Sequence, residues 1–454
     1  MTKEIKIALL MASSLFMDVL DGTIVTSALP KMSQAFNTSA ATISLLVSVY
    51  MISVAVFIPL SGWLALRFGK KNIWLFAVVL FTLSSLASAL SVNFSMLLSM
   101  RLLQGIAGSM MTPTARLIVL EKTPNDQMLR MISYLVWPAL VAPALAPVVG
   151  GFLVTYMSWH WIFLINVPIG IVASLIGLHL IPRDTEVEKR KFDVTGFLEL
   201  GFGSAFVLAG FELISRGQSA ANLGITLLLI GVLLILITYV HLKKSSNPLF
   251  SISALTIKTF RISQTGGTLF NITVAGLPYV LTILLQTIFG WSAAKTGWYI
   301  MFIFIGNIGI KPFTNPIIRK LGFKGALISS LGSLILSAVG LSFINKETPA
   351  MIIMFLALIS GAGRSLTFTA YNGLQFTEIP PTDRNSANTL TAVTQSMGQG
   401  LGISLMTVLI QLFALSLGTI KAYSLGFIIL ALFSVVPLIE VLALPKNAGQ
   451  EAIE

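Results

Sequence analysis

The sequence contains no cysteine and very few charged residues. Without cysteine, the chain can form neither a disulfide framework nor a thiolate metal site. Its three histidines, His160, His179 and His241, are far apart in the sequence, so we expect no metal site and no cofactor. Charged residues make up 10% of the 454 residues, against about a quarter in a soluble domain. A water-soluble globular fold is therefore excluded.

Apolar segments fill most of the chain, since 55% of its residues are hydrophobic. A helix needs about 20 apolar residues to cross a bilayer, and such segments recur with short interruptions. The first follows Lys3 and Lys6 without a small-residue cleavage site, so we expect a retained helix. We predict an all-α membrane protein with fourteen transmembrane helices. The predicted spans are 6–29, 42–65, 72–91, 95–119, 131–156, 160–181, 194–214, 221–242, 262–287, 293–313, 325–344, 349–376, 387–414 and 421–444.

The basic residues are distributed unevenly between the two sides of these spans. With the N-terminus inside, 21 of the 29 Lys and Arg residues fall in inner loops and five in outer loops. The remaining three, Arg101, Lys311 and Arg364, lie within spans or at their edges. Inner loops are normally the basic ones, so we predict that both termini are cytoplasmic. The net charge of +12 is then a topological signal, and no nucleic-acid partner is expected.

The loops indicate an internal duplication. The longest polar connectors follow Ile181 and Leu242 and bracket one hairpin. We therefore predict a six-helix bundle at 1–181, an inserted hairpin at 194–242 and a second six-helix bundle at 257–444. The loop GWLALRFGKK, residues 62–71, is echoed by NPIIRKLGFK, residues 315–324, after the second helix of each bundle.

Charges inside the spans indicate a transport function. A charge at membrane depth is costly and usually faces a protein-lined cavity. Asp18 and Asp21 share one face of the first span, about 5 Å apart. Asp21 lies nine residues before Pro30 and Arg101 seven after Phe94, about 13 and 10 Å from the outer ends. We predict that Asp21 binds a proton, that Arg101 tunes its affinity, and that Asp18 is an accessory acid or contacts a cationic substrate. A permanent structural pair with Arg101 is the alternative.

Three motifs carry a resemblance to a known family. LDGTIVTSALP (20–30), RLLQGIAGS (101–109) and APALAPVVGG (142–151) resemble signatures of the major facilitator superfamily, and specifically its fourteen-span drug/proton antiporters. The resemblance implies two six-helix bundles, an inserted hairpin and transport by alternating access. It departs at Leu66, where an acid normally precedes the loop arginine, and at Ala142 and Ala146, which replace glycines.

Several residues are candidates for gating and helix packing. The basic loop after the second span could form a tight turn. The small residues of the fourth and fifth spans could allow close helix contacts, and the prolines of the fifth span could make it a pivot. Positive-inside topology and ordinary packing explain the same residues equally well. The candidates are Gly62, Arg67, Gly69, Lys70, Gly105, Pro143, Pro147, Gly150 and Gly151.

Polar residues of the later spans predict a substrate wall. Arg364 lies near mid-membrane, where the resemblance provides no counterpart, and could pair with Asp18, bind an anionic group or play a local structural role. Buried amides can also hold helices together. The predicted cavity residues are Asp18, Gln104, Gln264, Asn271, Arg364, Tyr371, Asn372, Gln375, Gln395 and Gln399.

These observations predict a monomeric, proton-coupled exporter in a bacterial plasma membrane. We expect amphipathic substrates, either cationic or zwitterionic drugs or toxic compounds. The alternative is a flippase or exporter of one anionic metabolite or lipid on the same fold. No G-x-x-x-x-G-K-[ST] loop is present, so an ion gradient is the expected driving force. A membrane enzyme or receptor is disfavoured, because the sequence has neither clustered metal ligands nor a sizeable soluble domain.

Overall fold

A computed structural model describes residues 2–38, 40–43, 45–121, 123, 127–182, 184, 191–215, 218–291, 293–445 and 447–450. In this part of the chain every regular element is a helix, and fourteen helices are long. They are α1 Lys3–Ile24, α2 Leu45–Phe68, α3 Lys70–Ala89, α4 Phe94–Glu121, α5 Met128–Tyr156, α6 Asn166–Leu180, α7 Val194–Ser215, α8 Gln218–Lys244, α9 Lys258–Ile283, α10 Ala293–Gly309, α11 Lys311–Ser342, α12 Ala350–Leu374, α13 Arg384–Leu417 and α14 Thr419–Leu442.

Eleven spans in the described residues are long and apolar enough to cross a membrane. The other three long helices are α4 and α5, with 28 and 29 residues, and α10, with 17. Each predicted span therefore has a helical counterpart, and the all-α architecture is confirmed for the described residues.

Two sharp turns occur at glycines in equivalent positions. Gly69, with φ 87°, separates α2 from α3, and Gly322, with φ 69°, interrupts α11. Both values lie in the left-handed region, which glycine adopts without a steric penalty. The predicted boundaries 293–313 and 325–344 differ from the structure here. The helix predicted to end at residue 313 ends at Gly309, and a new helical segment runs from Lys311 to the break at Gly322. Residues 311–321, predicted mostly as a loop, are thus helical.

The helices form two bundles and a hairpin. In the first bundle α1 packs on α5, and α4 packs on α2 and α3. In the second, α12 packs on α10 and α11, while α9 packs on α13 and α14. The hairpin of α7 and α8 contacts α2 and α13 through α7. The division at 1–181, 194–242 and 257–444 stays a prediction.

The prolines and the glycine pair of the fifth span do not end its helix. Helix α5 runs unbroken from Met128 to Tyr156, across the prolines and the Gly150-Gly151 pair. Ala142 and Ala146 are fully buried in one apolar cluster with Leu20 and Ile24 of α1. Their small side chains allow the two helices to approach closely.

The two bundles meet on the side at which α1 begins, which we call the N-terminal side. The Gly69 turn, the Gly322 break and the end of α14 lie on the same side. One apolar cluster here joins residues of both bundles, and it seals the seam between them. Its buried members are Leu120, Met128, Ile132, Val136, Ala254, Phe260, Phe376, Ile379 and Ala387.

Hydrogen bonds reinforce this seal. The Asn385 amide donates to the Gly62 carbonyl at 3.3 Å, and the Asn388 amide donates to the Pro113 carbonyl at 2.9 Å. On α5, the Ser133 hydroxyl donates to Asn315 Oδ1 at 2.9 Å. The structure is therefore closed on the N-terminal side.

Candidate functional site

The centre of the first bundle contains a buried ion pair. Arg101 Nη1 of α4 donates to Asp21 Oδ2 of α1, and both side chains are fully buried. Arg101 Nε also donates to the Leu46 carbonyl at 3.2 Å, and the guanidinium carbon lies 4.2 Å from the centre of the Tyr50 ring. The depths estimated from the sequence put both groups at similar levels, and the structure brings them into contact.

The second oxygen of Asp21 is also bound. Asn166 Nδ2 of α6 donates to Oδ1 at 2.8 Å, and Gln104 Nε2 of α4 donates to it at 3.3 Å. Gln104 is held in turn by Ser85 Oγ at 2.7 Å and by Arg101 at 3.0 Å. Buried charges are stable when their remaining donors and acceptors are satisfied. Sequence reasoning missed Asn166 and Ser85; an asparagine within an apolar span was the available signal.

Asp18 has a different environment one helical turn away. Its side chain is half-buried. The Tyr50 hydroxyl donates to Oδ1, and the Thr112 hydroxyl donates to Oδ2 at 2.7 Å. Neither donor is a cation, so this carboxylate is held by neutral groups. Asp18 is therefore the more accessible acid of the two.

In the second bundle, six amides lie between α9, α12 and α13, and we call them the amide cluster. All six amides bond to one another in pairs: Gln264 to Gln375 at 3.3 Å, Gln395 to Asn372 at 3.4 Å and Gln399 to Asn271 at 3.2 Å. Five of them and Tyr371 line a cavity of about 10 Å³, which is room for about one water. The members are Gln264, Asn271, Asn372, Gln375, Gln395 and Gln399.

Three further cations are buried in the membrane helices. Arg364 is 5% exposed and donates through Nη2 to the Thr273 carbonyl at 3.2 Å. Arg116 is 6% exposed and donates to Gln395, and Lys311 is 7% exposed and donates to Thr369. Sequence reasoning missed both of these residues as site residues. In the count of basic residues, Arg116 was assigned to an inner loop and Lys311 to the edge of a span.

The predicted gate residues occupy different positions. Gly62 lies inside α2, not in the turn, and a Cβ there would collide with the Thr389 hydroxyl of α13. Gly69 forms the turn itself. Lys70 pairs with Glu121 at 2.9 Å and with Asp184 at 3.5 Å. The family normally has an acid where this chain has Leu66. Glu121 and Asp184 provide carboxylates near the same turn instead.

The remaining packing candidates differ in how closely a neighbouring helix approaches them. A Cβ at Gly105 would lie 2.7 Å from the Tyr50 carbonyl oxygen, so α4 and α2 touch there. Gly150 faces Ile24 of α1, whereas a Cβ at Gly151 would meet nothing within 4 Å. The side chain of Pro147 lies outside the described residues, and Pro143 and Arg67 are half-buried.

Comparisons with known proteins agree with this architecture. The sequence model of the Major Facilitator Superfamily matches residues 11–403 and 266–451. The chain belongs to the major facilitator superfamily. A superfamily relative from Pectobacterium carotovorum, named as a candidate multidrug resistance protein MdtD, is 34% identical over 406 residues, covering 89% of this chain and 87% of its own. A relative from Haemophilus influenzae bearing the name of a transport protein, HsrA, is 30% identical and covers 96% and 95%.

A solved structure has the same fold. The human organic anion transporter MFSD10 superposes with a TM-score of 0.71, covering 97% of this chain and 100% of its own, at 15% identity. At that identity the likeness shows the fold alone. The chain is therefore a multi-pass membrane transporter of the superfamily and not an enzyme, and one of its relatives bears the name of a multidrug resistance protein.

Proposed function

We propose that this transporter exports amphipathic drugs or toxic compounds in exchange for protons. The observation that carries the proposal is the buried Asp21 and Arg101 pair beside the half-buried Asp18. Protonation of Asp21 would release Arg101 from its main partner, so a proton can bias two arrangements of α1 and α4. One proton that crosses 100 mV supplies about 2.3 kcal/mol.

The roles of the two acids follow from their exposure. Asp18 exchanges protons with water, and Asp21 responds through Arg101. The closed N-terminal side is one of the two conformations that alternating access requires, and Gly62, Gly69 and Lys70 hold it. Both termini face the cytoplasm of a bacterial cell in this proposal, because the basic loops favour that side. The transporter then acts as a monomer whose two bundles, 1–181 and 257–444, rock about the seam.

Transport by purified protein in proteoliposomes tests the coupling. An imposed pH gradient should drive accumulation of an amphipathic dye by the wild type. Asp21→Asn and Asp18→Asn should abolish this accumulation. Gradient-free exchange of the dye should stay intact in Asp18→Asn, which keeps the Asp21 and Arg101 pair, whereas the folding of Asp21→Asn is checked by thermal denaturation because Arg101 loses its counter-charge. Accumulation by Asp21→Asn at the wild-type rate would show that the pair is purely structural. Lys421→Gln, on an exposed residue, is the control.

Export of a single anionic metabolite or lipid is the second candidate. It is favoured by Arg364, which has no carboxylate within ion-pair distance among the described residues. The expected preference for cationic or zwitterionic compounds is supported by one group only, Asp18.

A further inference from the structure

Four cations are buried in the membrane helices of the described structure, and only Arg101 contacts a carboxylate. The other three are Arg116, Lys311 and Arg364, which we call the interface cations. Removing a cation from water costs several kcal/mol unless a partner compensates. Their acceptors are neutral: Gln395 Oε1 at 3.1 Å, Thr369 Oγ1 at 2.8 Å and a backbone carbonyl at 3.2 Å.

Two of the interface cations also have a nitrogen with no hydrogen bond. Arg116 Nη1 and Arg364 Nε are buried and lack a partner within the described chain. Most buried polar atoms in proteins are paired. Arg101 Nη2 is also unpaired, but Asp21 neutralises that guanidinium. Arg116 and Arg364 combine an unpaired nitrogen with the lack of a carboxylate partner among the described residues, and this combination favours a ligand that is bound in another conformation.

One of the interface cations, Arg116, bonds across the two bundles, and Lys311 lies on a helix that contacts the first bundle. Arg116 belongs to the first bundle and bonds to Gln395 of the second. Lys311 lies four residues before Asn315, so the two share one face of α11. Asn315 accepts a hydrogen bond from Ser133 of the first bundle. This face of α11 is thus turned toward the seam.

Arg364 extends the same region along α12. Phe368 and Asn372 follow it at intervals of four residues, so all three share a helix face. Both line the cavity of the amide cluster, and Asn372 lies about 12 Å from Arg364 along the axis. Asn372 bonds to Gln395, which bonds to Arg116. Arg364 and Arg116 therefore lie at opposite ends of one polar strip.

We infer that this strip binds the anionic group of an amphipathic substrate, such as a carboxylate, sulfonate or phosphate. Arg116 and Arg364 bind the anion when the seal opens, and Lys311 adds positive potential. The amides then exchange their mutual hydrogen bonds for bonds to the substrate. A purely cationic substrate would meet three positive charges and a single accessible acid, Asp18. This inference rests on the proposed export function, and binding can be measured apart from proton coupling.

Equilibrium binding to the purified full chain in detergent, without a pH gradient, tests the inference. The probes are an amphipathic fluorescent carboxylate, its methyl ester and its quaternary ammonium analogue, and the readout is fluorescence anisotropy. The wild type should bind the carboxylate about tenfold more tightly than the ester, since charge-assisted pairs are the stronger ones. Arg116→Gln and Arg364→Gln should weaken carboxylate binding about tenfold and ester binding less than about twofold.

Matched variants separate charge from folding. Arg261→Gln, on an exposed arginine of α9, should leave all three affinities unchanged, and Arg364→Lys should restore part of the carboxylate affinity. Equal affinity of the wild type for carboxylate and ester, or tighter binding of the ammonium probe, overturns the inference without any variant. Carboxylate preference without gradient-driven transport would refute proton coupling and leave the anion site standing.

Discussion

At the residue scale, the first bundle contains one neutralised buried ion pair, Asp21 with Arg101, in addition to the buried cation Arg116. Asp21 and Arg101 compensate each other, and Asn166 and Gln104 bind the second carboxylate oxygen of Asp21. Arg101 Nη2 has no hydrogen-bond partner among the described residues. Such a pair need not add stability relative to apolar residues, but losing one partner leaves an uncompensated buried charge. The pair is thus sensitive to protonation, which removes one of the two charges.

This asymmetry gives a stability prediction. Arg101→Gln should lower the free energy of unfolding by about 3 to 5 kcal/mol, because Asp21 would lose its buried counter-charge. Thermal denaturation of the purified protein in detergent would measure the change. The double variant Asp21→Asn with Arg101→Gln should recover part of the loss, and Arg261→Gln is the control. An Arg101→Gln protein as stable as the wild type would contradict the compensation argument.

Some of these residue contacts were accessible from the sequence. Counting from span ends placed Asp21 and Arg101 at one depth, because helical rise converts residue number into distance. Asn166 and Arg116 were not predicted as site residues, since which face of a helix meets a neighbour depends on tertiary packing. For Lys311 the obstacle was the boundary: the helix continues to the Gly322 break, which makes the lysine interior.

At the element scale, the internal repeat has a counterpart in hydrogen bonding. Lys71, two residues after the Gly69 turn, donates to the Leu178 and Ile181 carbonyls at 2.7 Å each. Lys324, two residues after the Gly322 break, donates to two carbonyls at the end of α14, at 2.8 and 2.6 Å. The last carbonyls of a helix lack partners within that helix. Each lysine thus caps the last helix of its bundle.

The two caps provide matched controls for each other. Lys71→Met should raise amide hydrogen exchange in residues 178–181 about tenfold and leave 442–444 unchanged, because a hydrogen bond from a charged group contributes about 1.5 to 3 kcal/mol. Lys324→Met should produce the reverse pattern. Exchange measured by mass spectrometry would resolve both segments. Uniform changes in both segments would show that the lysines act through global stability instead.

The repeat was visible in the sequence, but the caps were not. The loops 62–71 and 315–324 align glycine with glycine and lysine with lysine. Which carbonyls the lysines reach depends on how α6 and α14 end next to these turns, and that is a tertiary property.

At the scale of the whole molecule, the seam between the bundles is the element that alternating access must open. The apolar cluster around Leu120 and Phe376 and the amides of Asn385 and Asn388 lie along it. Each of these contacts is lost if the bundles separate on the N-terminal side. The interface cations would then become accessible to a substrate from that side.

A reversible cross-link across this seam tests whether its opening is required. The chain has no native cysteine. In the double variant Ser133→Cys with Asn315→Cys, the two introduced thiols are therefore the only ones in a molecule that can form an intramolecular disulfide. The two side chains touch at 2.9 Å, and oxidation should join them and hold the N-terminal side closed. Dye transport in proteoliposomes should fall about tenfold or more on oxidation and return on reduction. Each single-cysteine variant should be insensitive to both treatments. Transport by the cross-linked protein at the same rate as by the protein with free thiols would show that substrate crosses without opening this seam. The two bundles would then not rock as rigid bodies.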